Sequence, residues 1–116
     1  MTQNYINVAI AGATGYVGLD LVYILSKHPN IKIINLCAQK NVGKNINIFD
    51  TRIKKKLPKI SKINSVDWSR IDLLFLSLPN GEAQKLIKKL YFKYLNLKFI
   101  DLSADFRIEN YVKYKN

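Results

Sequence analysis

The sequence predicts an α/β fold: an open, doubly wound parallel sheet with helices on both faces. Three observations carry that prediction. Four apolar runs, at 5–11 (YINVAIA), 31–38 (IKIINLCA), 71–79 (IDLLFLSLP) and 97–104 (LKFIDLSA), are nearly continuous rather than alternating, as strands buried on both faces require. Helical periodicity fills the gap between the first two runs and between the last two. A glycine-rich turn, VAIAGATGYVG at 8–18, joins the first run to the first helix. Strand, helix, strand, used twice, implies right-handed crossovers within one parallel sheet.

Taken in order, the first run turns through Gly12, Gly15 and Gly18 into a helix marked by Val17, Leu21, Ile24 and Leu25, which Pro29 and Asn30 then stop. The second run follows. Residues 40–70 are the least legible part, compatible with a short strand, a turn of helix near Asp67–Ile71, or mostly loop. After the third run, Ala83, Leu86, Ile87, Leu90 and Tyr94 form an apolar stripe, and Lys85, Lys88, Lys89 and Lys93 take the opposite, solvated face. The stretch DLSADFRIENYVKYKN leaves the last strand and starts a new excursion without a closing element. The expectation is one domain over 1–116, truncated before a catalytic and dimerisation domain.

Composition narrows the function classes. With 48% hydrophobic and 11% aromatic residues, the chain is too apolar to stay disordered. Its one cysteine, Cys37, excludes an intrachain disulfide and a cysteine-based zinc site. There is no basic-then-apolar leader at the N-terminus and no run near the ~20 residues that span a bilayer. The reading is a soluble, cytoplasmic protein without a membrane partner. The net charge of +11 would suit a nucleic-acid binder, but the excess is mostly lysine, alongside abundant asparagine and isoleucine, all residues of AT-rich codons. The densest cluster, RIKKKLPKISK at 52–62, lacks the interleaved aromatics that stack on bases and reads as a solvated loop. No nucleic-acid partner is expected.

In a strand–turn–helix of this kind one glycine permits the tight turn, another lets the backbone approach a pyrophosphate, and a third lets helix and strand pack closely. The helix N-terminus adds free N–H donors and a positive dipole end. The spacing is G-x-x-G-x-x-G, weak alone but specific within a Rossmann-type context. Gly12, Thr14, Gly15, Tyr16, Val17 and Gly18 are therefore candidate cofactor-binding residues. NAD-selective sites carry an acid about 20 residues on, at the end of the second strand; here the segment is Cys37-Ala38-Gln39-Lys40. Gln39, Lys40 and Lys44 can instead meet a 2′-phosphate, which favours NADP. The plainer alternative is that they are ordinary loop residues.

Four segments, VAIAGATGYVG, NVGK, LSLPNGEA and IDLSADFRI, together resemble the N-acetyl-gamma-glutamyl-phosphate reductase family, from about Ile6 to Ile108. DLSADFR is the most specific of them. Aspartate-semialdehyde dehydrogenases have a comparable Ser-x-x-Phe-Arg segment. The resemblance implies NADPH-dependent reduction of an acyl phosphate to an aldehyde in arginine biosynthesis, through a thioester on a cysteine, by a homo-oligomeric parent enzyme. That chemistry needs a nucleophile, a hydride donor, a general acid/base and a cation for the phosphate.

Family members carry the nucleophile in a Gly-Cys-Tyr segment beyond the DFR stretch, with the histidine further on, and neither segment is present. Cys37, flanked by apolar residues, reads as a small core residue rather than a replacement. His28 reads as a capping or solvent-facing residue. On the substrate side the resemblance implies Arg107, whose guanidinium can fork onto a phosphate, and Ser103; a salt bridge of Arg107 with Asp105 or Glu109 is the simpler alternative. Leu78, Pro79, Asn80 and Gly81 would line the cofactor, although the family often has His where this chain has Asn80. The competing readings are the same domain of an aspartate-semialdehyde dehydrogenase or lysine-pathway reductase, and a non-enzymatic NADP-binding module.

Overall fold

The computed structural model describes residues 4–79 and 81–102. Five strands, β1 (Ile6–Ala11), β2 (Ile31–Cys37), β3 (Ile60–Ser61), β4 (Leu73–Leu76) and β5 (Lys98–Asp101), form one sheet in the order β3-β2-β1-β4-β5. Every neighbouring pair is parallel. α1 (Tyr16–Ser26) connects β1 to β2, and α2 (Glu82–Tyr91) connects β4 to β5. The chain winds outward from the centre in opposite directions in its two halves. Right-handed crossovers therefore put α1 and α2 on opposite faces.

The two cores show this directly. Val8 and Ile10 of β1 pack with Val22 and Leu25 of α1 on one face. Ala9 and Ala11, one residue out of phase, pack with Trp68 and with Ala83 and Leu90 of α2 on the other. The near-continuous apolar character of the first run follows from this two-sided burial. In the second run the register against β1 slips between Val8 and Ala9, which pair with Ile33 and Asn35. The bulge leaves Ile34 as the extra residue and brings Asn35 opposite Ala9.

Helix α1 lies where its periodicity predicts, but its buried face is rotated. Gly18, Val22 and Leu25 are buried, whereas Val17 and Ile24 are 50% and 61% exposed. Nearly every position of YVGLDLVYILS is apolar, so the pattern does not select a face. The close approach at Gly18 does. In α2 the stripe is correct: Ala83 and Leu90 are buried, and Leu86, Ile87 and Tyr94 pack partly buried beside them.

The 40–70 segment is more anchored than a solvated loop. It holds β3 and three single 3₁₀ turns, the last at Trp68–Arg70, where the Asp67 carboxylate accepts from the Ser69 N–H. Within the basic cluster, Lys54, Lys55 and Lys56 are exposed, but Ile53 and Ile60 are 2% and 1% exposed and belong to the α1-side core. Arg52 clamps the segment to α1. Its guanidinium donates to Asp20 at 2.6 Å and to Asp50 at 2.7 Å, and lies 4.5 Å from the Tyr23 ring centroid. The hydrogen bond from Arg52 holds the Asp50 carboxyl below its usual value. This anchoring predicts that Ile53→Ala lowers the unfolding free energy by about 2–4 kcal/mol in urea titrations, while Lys55→Ala changes it by less than about 0.5 kcal/mol. Equal, small effects would mean that the segment is only a solvated loop.

Candidate functional site

The glycine turn sits at the carboxyl edge of β1, where the strand order reverses between β1 and β4, the edge at which open α/β sheets bind ligands. Gly12 has φ +80°, a conformation glycine adopts without steric cost. Its N–H and that of Ala13 both donate to the Cys37 carbonyl, at 2.9 and 3.0 Å. A Cβ on Gly12 would overlap the Ser77 carbonyl oxygen past β4, and one on Gly18 would overlap the Gly12 carbonyl oxygen. Those two glycines are packing requirements. Gly15 differs: its backbone is extended (φ −74°, ψ 170°), and its Cβ would meet nothing nearer than the Gly12 carbonyl oxygen at 3.7 Å. The space before Gly15 belongs to a cavity.

That cavity has a volume of about 750 Å³. Ala11, Ala38, Ile63, Leu78 and Leu86 give it an apolar lining. Gly15 is the N-cap of α1 and supplies no side-chain cap, and the first helical turn contains no acid. The helix end therefore presents N–H groups and its positive dipole end to whatever lies in front of it. Lys40, Lys62, Lys85 and Lys89 line the cavity, with Glu82 as the one carboxylate among the described residues. Both ion pairs among the described residues are made by Arg52, so none of these lysines has a carboxylate partner there.

Seven of the residues singled out from the sequence, Gly12, Thr14, Gly15, Gln39, Lys40, Leu78 and Pro79, line this one cavity. Tyr16, Val17 and Gly18 form the first turn of α1 behind it and do not line it; Tyr16 is 94% exposed. Lys44 is also outside the lining. Asn41 and Gly43 adopt positive φ, and the loop folds back so that the Lys44 carbonyl accepts from the Ile60 N–H at 2.9 Å. Asn80, Ser103 and Arg107 lie outside the described residues. His28 is exposed, and its Nδ1 accepts from the Asn30 N–H at 3.1 Å.

Sequence reasoning missed Lys62 and Asn64, which follow β3, and placed Lys85 and Lys89 on a purely solvated face. The signal for the first pair was the Ile60–Ser61 step inside a basic stretch, too short to read as a strand. For α2, Lys85 and Lys89 are exposed and also border the cavity.

Cys37 is 2% exposed and lines the cavity. Burial pushes its thiol up to about 11, against a weaker opposing hydrogen bond with Ser61. At neutral pH it is a neutral thiol, which is a poor nucleophile. Among the described residues no three His, Cys, Asp or Glu side chains gather as a metal would need, and no helix is long and apolar enough to cross a membrane.

With this geometry in hand, the comparisons with known proteins define a class. Residues 7–115 match the family of semialdehyde dehydrogenase NAD-binding domains, and the chain belongs to that family. An N-acetyl-gamma-glutamyl-phosphate reductase of Ehrlichia ruminantium is 42% identical over 112 residues, covering 95% of this chain and 32% of the relative. A probable chloroplastic reductase of that name from Arabidopsis thaliana is 34% identical, covering 95% and 27%. The chain thus spans about a third of the length of the curated relatives it matches. Among solved structures, the fold resembles an aspartate semialdehyde dehydrogenase of Candida albicans solved with NADP, with a TM-score of 0.65 and 23% identity over 91% of this chain and 32% of that one.

The buried thiol makes a pH prediction. The folded chain holds the Cys37 proton more tightly than the unfolded chain, whose thiol titrates near 9. The resulting stability is complete below pH 9 and is lost as pH rises towards 11. The stability difference between the wild type and Cys37→Ala, from urea unfolding, should shrink by roughly 2–3 kcal/mol between pH 8 and pH 12. A difference independent of pH would mean that the thiol is not desolvated.

Proposed function

We propose that residues 1–116 are the NADP-binding domain of an N-acetyl-gamma-glutamyl-phosphate reductase, serving the reduction of N-acetylglutamyl phosphate to its semialdehyde in arginine biosynthesis. The observation that carries this reading is the open approach at Gly15, in front of an uncapped helix end and inside a cavity of about 750 Å³. A side chain at that glycine would occupy space that a pyrophosphate needs, so the residues present suit a dinucleotide. Identities of 34–42% to reductases of that name support the substrate class.

When bound, a nicotinamide dinucleotide supplies the hydride. The chain's own residues bind and orient it: Gly12, Thr14 and Gly15 at the phosphates, with backbone of Tyr16, Val17 and Gly18 completing the helix end, and Leu78 and Pro79 at the β4 exit. Gln39 and Lys40 stand where NAD-selective sites carry an acid, and a 2′-phosphate meets a cation there instead of a repelling carboxylate. Ser103 and Arg107 are assigned to the acyl-phosphate substrate, Arg107 through its phosphate-gripping fork. Cys37, buried and neutral, takes no covalent role. The reading is completed by a cytoplasmic, homo-oligomeric parent enzyme without a nucleic-acid or membrane partner.

Calorimetric titration of this chain should give NADP+ at least roughly tenfold tighter binding than NAD+. Equal affinities, or a preference for NAD+, would overturn the assignment of Gln39 and Lys40. Gly15→Val should keep the circular dichroism of the wild type, because its backbone angles suit any residue, and should weaken both nucleotides by roughly tenfold or more. Unchanged affinity in a folded variant would reduce the glycine turn to a turn.

A further inference from the structure

We infer that Lys62 is a second specificity-determining cation of the nucleotide site, acting with Lys40 on the 2′-phosphate; the inference rests on the NADP reading above. A phosphate monoester carries close to two negative charges at neutral pH, and a single exposed lysine neutralises only part of that. The sheet supplies another cation beside the first. β3 pairs with the carboxyl end of β2 through Leu36–Ile60 and Cys37–Ser61, and the Ala38 N–H donates to the Ser61 carbonyl at 3.1 Å. Lys62 therefore leaves β3 one strand spacing, about 4.8 Å, from the segment that leads through Gln39 to Lys40.

Its backbone is fixed. The Lys62 carbonyl accepts from both the N–H and the hydroxyl of Ser65, at 3.0 and 2.7 Å, as the chain enters the turn at Ile63–Ser65. Lys62 and Lys40 line the same cavity, and neither has a carboxylate partner among the described residues. Lys44, the other sequence candidate, is outside the lining, so Lys62 fills the place it was expected to take. Lys85 and Lys89 come from α2, which packs on the β4 side of the sheet rather than at the β2–β3 edge. They can raise the cavity's general attraction for anions without reading which ribose oxygen is phosphorylated.

The test compares NADP+ with NAD+ on the full chain, so that the 2′-phosphate is the only variable. Lys62→Met should lower NADP+ affinity by roughly tenfold and leave NAD+ affinity within about twofold, whereas Lys62→Arg should keep the wild-type ratio. Lys85→Met should shift both affinities alike. A Lys62→Met ratio equal to that of the wild type, whether both affinities fall together or neither moves, would overturn the inference while leaving the NADP reading intact. If the wild type itself shows no preference for NADP+, the reading beneath the inference fails first and the inference with it.

Discussion

The structure depends on how closely the chain can be packed around Gly12. Three segments converge on that residue's backbone: the Cys37 carbonyl at the end of β2 receives N–H groups from Gly12 and Ala13, the Ser77 carbonyl past β4 lies where a Cβ would stand, and Gly18 of α1 packs against the Gly12 carbonyl. Positive φ at Gly12 turns the strand into the helix, and the missing side chains let β1, β2, β4 and α1 meet there. Any L side chain at Gly12 would meet a conformational cost and a clash together.

One consequence is a division of labour among the three glycines. Gly12 and Gly18 are needed by the fold, while Gly15, extended and unobstructed, is needed only by something that occupies the cavity. A second consequence is the position of the lysines. Because the β2 exit is tied to the glycine turn and to β3, the loops that follow β2 and β3 present Lys40 and Lys62 to one cavity. Helix α2 adds Glu82, Lys85 and Lys89 to the same lining. The excess of positive charge at this site comes from the topology as well as from a lysine-rich composition. Arg52, by contrast, is consumed structurally by Asp20, Asp50 and Tyr23.

Much of this was legible in the sequence because it is written in local patterns. The long strands are continuous apolar runs, α2 has a two-faced pattern, and the glycine turn has a spacing tied to strand and helix. Other features were illegible for physical reasons. The face of α1 could not be read because apolar residues surround that helix; Gly18, with no hydrophobicity of its own, sets the orientation through contact. β3 has only two residues, and the isoleucines that anchor its loop are scattered among lysines. Whether a lysine lines a cavity or faces solvent is decided by pairing across the sheet, as Lys44 and Lys62 show, and no periodicity reports that. The same holds for the packing of Gly12 against Ser77, residues 65 positions apart in sequence.

An amide chemical-shift titration of the ¹⁵N-labelled chain with NADP+ tests the nucleotide site most directly. The dinucleotide's phosphates would sit in front of the glycine turn, against the N–H groups that open α1 at Tyr16–Gly18. The largest shifts should fall on the amides of Thr14, Gly15, Tyr16 and Val17, with a second group at Gln39, Lys40 and Lys62 that is absent when NAD+ replaces NADP+. Shifts confined to other surfaces, with the glycine-turn amides unmoved at saturation, would contradict this placement.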